Sequence, residues 1–125
     1  MSDNVNNPKH YCSHPSGVEC IEIAETLPFN LGNALKYCWR AGKKLDEVED
    51  VKKAVFYLRR QANSRLAIPP LTSVNGLHKE LVINHLIKVN AVDQELARIV
   101  SIICFGDNIT RLALADELEI KHGLK

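Results

Sequence analysis

The chain has 125 residues, of which 46% are hydrophobic and 25% charged, the profile of a folded globular protein and not of a disordered one. No apolar run approaches the roughly 18 residues of a membrane-crossing helix; Ile99 to Phe105, the longest candidate, is short and broken by Ser101. Sixteen basic against fifteen acidic residues leave a formal charge of +1, which excludes a broad cationic coat for duplex nucleic acid.

The first fifteen residues read as a loop-like arm punctuated by Asn6, Asn7, Pro8 and Pro15. Ser16 with Glu19 forms a capping-box pattern that predicts a short helix to about Thr26, stopped by Pro28. Asn30 is the expected N-cap of a second helix, Leu31 to Ala41. Its apolar face carries Leu31, Ala34, Leu35 and Cys38, and Gly42 ends it. Asp46 with Glu49 opens the strongest helical pattern, Glu47 to Asn63, with Val48, Val51, Val55, Leu58 and Ala62 on its buried stripe.

Ile68 to Val74, with Pro69-Pro70, reads as a linker. Three helical stretches follow. The first is Val74 to Asn90, with Leu77, Leu81, Leu86 and Val89 inward. The second is Val92 to Phe105, with Leu96, Ile99, Val100 and Ile103 inward. The third is Ile109 to Lys121, capped by Asn108. No run alternates as a strand would. The expectation is an all-α protein of five or six helices in a compact, oligomeric bundle, with residues 1–65 as one region and 66–125 as a second helical region of the same unit or an oligomerisation element. The helix Val92–Phe105 is apolar enough to be central, either within the fold or between subunits.

The N-terminus lacks the apolar core of a signal peptide, so a cytoplasmic location is expected, with Cys12, Cys20, Cys38 and Cys104 as thiols. His10, Cys12 and His14 alternate ahead of Cys20, but without a C-x-x-C pair no metal is expected. His78 and His85 read as structural histidines. Trp39, between the two faces of its helix, reads as core or subunit interface before stacking platform.

Charge is uneven. Residues 1–65 hold ten Lys and Arg against eight Asp and Glu, whereas residues 66–125 hold six against seven. Lys36, Arg40, Lys43 and Lys44 fall within nine positions. At about 100° per residue, Asn33, Lys36 and Arg40 share a face opposite Leu31 and Leu35, and Lys43 and Lys44 extend it past Gly42. Asp50, Lys53 and Tyr57 form a second polar stripe on the next helix. Two antiparallel helices would bring the stripes together as a patch for phosphate, with Arg as a planar fork, Lys as a point charge and Tyr as a surface for a base or sugar. The competing reading is a solvated helix end whose cations suit the macrodipole. Neither G-x-x-x-x-G-K-[ST] nor G-x-G-x-x-G is present.

The ordered blocks Asn7-Pro8-Lys9-His10-Tyr11, Gly17-Val18-Glu19-Cys20-Ile21, Gly32-Asn33-Ala34-Leu35-Lys36-Tyr37, Arg40-Ala41-Gly42-Lys43-Lys44, Asp50-Val51-Lys52-Lys53-Ala54 and Tyr57-Leu58 resemble a family of small phage proteins long classed as of unknown function. The resemblance covers about residues 6–62. Cys38-Trp39 stands where a plainer apolar pair is expected, and Cys12-Ser13-His14-Pro15 fills the variable spacer. One member type is a nucleotide kinase of short-tailed phages that phosphorylates deoxynucleoside monophosphates without a P-loop, as a homo-oligomer and without metal dependence.

The resemblance implies a phage-encoded nucleotide-binding protein in the infected bacterial cytoplasm, a homo-oligomer needing no cofactor beyond nucleotide. It directs attention to His10, Arg40 and Asp50 as catalytic candidates, and to Tyr11, Asn33, Lys36, Arg40, Lys43, Lys44, Lys53 and Tyr57 as nucleotide or phosphate ligands. Three functions compete. The first is a kinase-like phosphoryl transferase. The second is a non-catalytic oligomeric sponge for nucleotide signals of host immunity. The third is an inhibitor that binds a host protein.

Overall fold

A computed structural model describes residues 14–41, 47–64 and 76–125. Among them lie six α-helices and no strand: α1 Cys20–Ala24, α2 Phe29–Arg40, α3 Glu47–Ala62, α4 Gly76–Val92, α5 Gln94–Phe105 and α6 Asn108–Lys121. None of these helices is long and apolar enough to cross a membrane.

The first helix starts later than the Ser16 pattern predicts. The Ser16 hydroxyl is committed to a turn, where it bonds the His14 ring at 2.7 Å and accepts from the Val18 amide at 3.1 Å. Glu19 therefore becomes the N-cap, and its own amide donates to the Glu22 carboxylate at 2.8 Å. Helix α2 starts two residues earlier than predicted, with Pro28 and not Asn30 at the N-cap. Proline's fixed φ and missing N–H suit a helix entry, and the Pro28 carbonyl accepts the Gly32 amide at 2.9 Å.

Helix α2 packs along α3, and α3 packs in turn on α6. Acidic residues fill the first turn of α3 and Arg59 and Arg60 its last, in the sense the helix dipole favours. The buried stripe of α3 is Asp50, Val51, Ala54, Val55, Leu58 and Gln61. Val48, expected inward, is 42% exposed. The stripe has rotated by part of a turn, because Ala54 gives α2 a close approach and Asp50 is drawn inward with it.

Helix α4 packs on α5 and α1 through Val82 and Val89, both fully buried, with Leu86 against the core. Leu81, expected inward, is exposed. This helix has apolar residues on every side, so its periodicity does not single out one face. Asp93 divides α4 from α5; its Oδ1 accepts the Leu96 amide at 3.0 Å and its Oδ2 meets His14 Nε2 at 3.2 Å. Helix α5 is central within the fold, burying Leu96, Ala97, Ile99, Val100, Ile103 and Cys104.

Asp107, not Asn108, caps α6, accepting the Thr110 amide at 2.9 Å while its own amide donates to the Thr110 hydroxyl at 3.0 Å. Gly106 makes that corner possible. A Cβ there would sit 2.5 Å from both the Ile102 carbonyl and the Thr110 hydroxyl.

One apolar cluster unites Leu35, Trp39, Val55 and Leu58 with Val100, Ile103 and Leu118. The described core thus draws on both sides of Pro69-Pro70. Trp39 is buried, its ring 5.3 Å from that of His14. Burial pushes the Cys38 and Cys104 thiols up to about 12, with Cys20 nearby adding to the effect. Arg111 is buried too; it donates from Nε and Nη2 to the Ile103 carbonyl at 3.2 and 2.9 Å, and burial lowers its pKa. His85 pairs with Glu22 at 3.4 Å.

Candidate functional site

Of the residues singled out on α2 and α3, Lys36, Arg40, Lys53 and Tyr57 come together on one face. Its centre is a pair of stacked tyrosine rings, Tyr37 of α2 and Tyr57 of α3, with centroids 6.0 Å apart and planes within 4° of parallel. Phe29 and Phe56 approach Tyr57 edge-on at 6.0 and 5.1 Å. Both phenylalanines are largely exposed, at 75% and 60%. The chain has three Phe, three Tyr and one Trp, and four of those seven rings sit on this face. An aromatic group this large and this uncovered is unusual for a soluble surface and marks a contact site.

Three cations surround the Tyr37 ring. Lys36 Nζ lies 4.5 Å from its centroid, Lys53 Nζ 5.4 Å and Arg40 Cζ 5.7 Å. The ring's negative face is what tolerates them together. The helix pair explains the convergence. Phe29 meets Tyr57 while Tyr37 meets Lys53, so α2 and α3 run in opposite directions and their polar stripes lie side by side. Lys53 also pairs with Glu49 at 3.8 Å, an exposed pair one helical turn apart. No ion pair joins Lys36 or Arg40 to a carboxylate among the described residues.

Asn33 stands one turn before Lys36, and its Nδ2 donates to the Phe29 carbonyl at 2.9 Å. Asp50 departs from the polar-stripe expectation. It is 3% exposed, because it shares the buried stripe of α3 with Ala54, one helical turn on. Asp50 Oδ2 and Arg40 Nε are both enclosed without a hydrogen-bond partner among the described residues. His10, Tyr11, Lys43 and Lys44 lie outside the described residues.

Sequence reasoning missed Tyr37, Phe29 and Phe56 as site residues. Tyr37 was legible only as part of a motif block, and each phenylalanine sits beside an unremarkable helical pattern. The available signal was the count of rings: four of the seven aromatic residues fall on these two helices.

Among the described residues, no group of three or more His, Cys, Asp or Glu could hold a metal ion. Chemically, the face offers point charges and a planar fork for an anion beside ring surfaces for a flat group.

No curated protein and no solved structure matches the chain. Residues 5–59, the span that carries α1, α2 and most of α3, match the model of a family described as protein of unknown function, DUF3310.

Proposed function

We propose that the α2–α3 face binds a nucleotide and that the protein is a phosphoryl transferase acting on a deoxynucleoside monophosphate. The observation that carries the binding reading is the convergence of Lys36, Arg40 and Lys53 on the stacked Tyr37 ring. The similarity to small phage proteins with a nucleotide kinase among them supplies the reaction class, and with it the expectation of a homo-oligomer in an infected bacterium.

Phosphoryl transfer between nucleotides asks little covalent chemistry of the protein. A γ-phosphoryl group passes from a nucleoside triphosphate to a phosphate oxygen of the acceptor, and the rate comes from positioning and charge stabilisation. The acceptor phosphate, with a second pKa near 6, is already largely dianionic at neutral pH and needs no base to activate it. The burial of Asp50 is therefore compatible with this reaction, and general-base roles for Asp50 and His10 are not required by it. Lys36, Arg40 and Lys53 would offset the charge of the two phosphate groups as they approach.

The same argument gives sequestration its weight. With Asp50 buried, the cations and rings of the face are sufficient to hold a nucleotide without chemistry, which is all that a nucleotide sponge needs. The deciding experiment incubates the purified protein with each deoxynucleoside monophosphate and a labelled triphosphate donor, with Arg40→Ala as control. Diphosphate product that disappears in Arg40→Ala supports the transferase. Tight binding followed by release of unaltered ligand on denaturation supports sequestration instead. A nucleotide at 100 times its dissociation constant should raise stability by about 2.7 kcal/mol. No thermal shift with any nucleotide would remove both readings in favour of a host-protein partner.

A further inference from the structure

Helix α6 ends in a turn that shapes a second cationic surface. Gly123 takes a φ of +70°, a conformation that favours glycine, and the Leu124 amide returns to the Glu119 carbonyl at 2.8 Å. Leu124 is thereby folded back against the core. Beside this turn, between α6 and α3, opens a pocket of about 500 Å³, within the range of small-molecule sites. Lys52, Arg59 and Arg60 line it from α3, and Glu119 and Leu124 from the other side.

The cations of this pocket are of two kinds. Arg59 bonds Asp116 at 2.8 Å and also Glu119, so the carboxylate on the pocket wall is already matched. No ion pair joins Lys52 or Arg60 to a carboxylate among the described residues. The helix dipole accounts for Arg60, in the last turn of α3. It does not account for Lys52, which lies in the first half of the helix, nearer the positive end. The two are eight residues apart, about 12 Å along α3. Phe56 stands midway between them and is 60% exposed. Two long cationic side chains at that spacing can close on a chain of phosphates from both ends, whereas a single phosphate engages one of them. The spacing therefore favours an extended polyanion over a compact one.

The pocket is contiguous with the α2–α3 face. Phe56 lines the pocket and meets Tyr57 edge-on at 5.1 Å. Lys52 and Lys53 are consecutive, and Lys53 reaches the Tyr37 ring. Transfer between two bound nucleotides needs such adjacency, since the reacting groups must be held together.

We propose that the α3–α6 pocket binds the polyphosphate chain of a nucleoside triphosphate, as the donor site of a transferase whose acceptor lies on the α2–α3 face. The proposal rests on the nucleotide reading of that face and adds where the second nucleotide is held. In the transfer, the bond between the γ-phosphorus and its bridging oxygen breaks and an oxygen of the acceptor phosphate bonds to that phosphorus. The bridging electron pair stays with the departing diphosphate, whose charge Lys52 and Arg60 offset. A second copy of this chain suits the pocket less well, because an isologous contact would set these unmatched cations against their own counterparts.

The test is isothermal titration of the full chain with inorganic tripolyphosphate, with β,γ-methylene dATP, which cannot transfer its γ-phosphoryl group, and with the four deoxynucleoside monophosphates. Wild type, Lys52→Met, Arg60→Met and Lys36→Met are compared, with melting curves and sedimentation of each in parallel. Lys52 and Arg60 are exposed, so their variants are expected to fold. Each should weaken tripolyphosphate and the dATP analogue at least about tenfold, the loss of one charge-assisted contact, and leave the monophosphates unchanged. Lys36→Met should do the reverse, weakening the monophosphates more than tripolyphosphate. If Lys52→Met and Arg60→Met leave the triphosphates unchanged, or weaken all the compounds alike, the donor site is not in this pocket and the proposal is overturned. If they change only self-association, the pocket belongs to a second copy and the proposal fails. If monophosphates bind wild type and neither triphosphate does, this proposal falls while the nucleotide reading of the α2–α3 face survives. If no compound binds, the nucleotide reading falls and takes this proposal with it.

Discussion

Replacing Lys36 by Met separates the two things a cation on this face does. The methionine keeps most of the apolar stem and removes the charge. In the free protein the ammonium gains from the Tyr37 ring, 4.5 Å away, an attraction worth about 0.5–1 kcal/mol at an exposed site. It is opposed by its neighbours. Lys53 Nζ and Arg40 Cζ lie 5.4 and 5.7 Å from the same centroid, so each is at most about 10 Å from the Lys36 charge. At that outer limit each repulsion is about 0.4 kcal/mol in bulk water, so the two together come to at least about 0.8 kcal/mol before screening by salt. Attraction and repulsion nearly cancel, so Lys36→Met should change stability by less than about 1 kcal/mol, or a few degrees in melting temperature. In the bound state the balance is different. A hydrogen bond from an ammonium to phosphate contributes about 1.5–3 kcal/mol, which is a loss of about 10- to 150-fold in affinity when it goes. The assay pairs a thermal melt of the free protein with isothermal titration of a deoxynucleoside monophosphate. A melting temperature that holds while affinity falls supports the site. Unchanged affinity refutes placement of the phosphate at Lys36, and destabilisation beyond about 2 kcal/mol refutes the cancellation and makes the residue structural.

Four further outcomes follow from the packing and the charges. Leu35→Ala, at a fully buried position between α2 and the rest of the core, should lower unfolding free energy in urea by about 2–5 kcal/mol. Gly106→Ala should cost more than its small size suggests, on the order of 1–3 kcal/mol, because its Cβ would fall 2.5 Å from the Ile102 carbonyl; a neutral variant would refute the tight corner. With thiols pushed up to about 12, Cys38 and Cys104 should resist alkylation at pH 8 in the native protein and react on unfolding, as peptide mapping by mass spectrometry would show. Hydrogen bonds from Arg98 hold Glu95 below the usual range, Lys125 and Arg59 do so for Asp116, and Arg59 does so for Glu119. Depressed folded values mean that this stability is present in full above the unfolded carboxylate range near pH 4 and is lost as pH falls through the lower folded values. Urea midpoints at pH 7, 5, 3 and 2 should therefore drop only below about pH 5, and a flat profile would contradict the ion-pair assignment.

Helix positions were legible wherever the apolar period was clean. The α5 pattern of Leu96, Ile99, Val100 and Ile103 names its buried face directly, and α2 does the same through Leu31, Ala34 and Leu35. The period fails on α4, where apolar residues surround the helix and only the neighbours α5 and α1 decide that Val82 and not Leu81 goes in. Caps were legible as chemistry but not as position. Ser16 and Asn108 have the right side chains, yet Ser16 is held by His14 and Asn108 is preceded by Asp107, a residue as good that sits one place nearer the turn. Of the candidate site, the cations Lys36, Arg40 and Lys53 and the ring of Tyr57 could be inferred from helical spacing. Asp50 could not, because its direction depends on how closely α3 approaches α2, which is a property of Ala54 and its partners and not of the stripe itself.

Three other arginines, Arg59, Arg98 and Arg111, stand in contrast to the α2–α3 face. Arg59 reaches Asp116 at 2.8 Å and also bonds Glu119, fastening α3 to α6. Arg98 holds Glu95 at 2.9 Å and bonds Glu117, joining α5 to α6. Arg111 is spent on the Ile103 carbonyl at the end of α5. In each case the guanidinium links two elements and its charge or its donors are met by acceptors from the same chain. Lys36, Arg40 and Lys53 are placed differently, around a ring and not between two elements. They crowd one tyrosine ring with Glu49 as the one paired carboxylate, and the Arg40 Nε is enclosed without an acceptor among the described residues. A solvated helix end would spread its cations into water, where their repulsion is least. Holding three of them within about 6 Å of one ring centroid costs free energy in the unliganded protein, small at each contact and opposed by the ring. That cost is recovered when an anion arrives, since the attraction of a phosphate to all three exceeds their mutual repulsion. On the proposed reading, Lys36, Arg40 and Lys53 are charges that a bound anion would complete, whereas Arg59, Arg98 and Arg111 are spent on the fold.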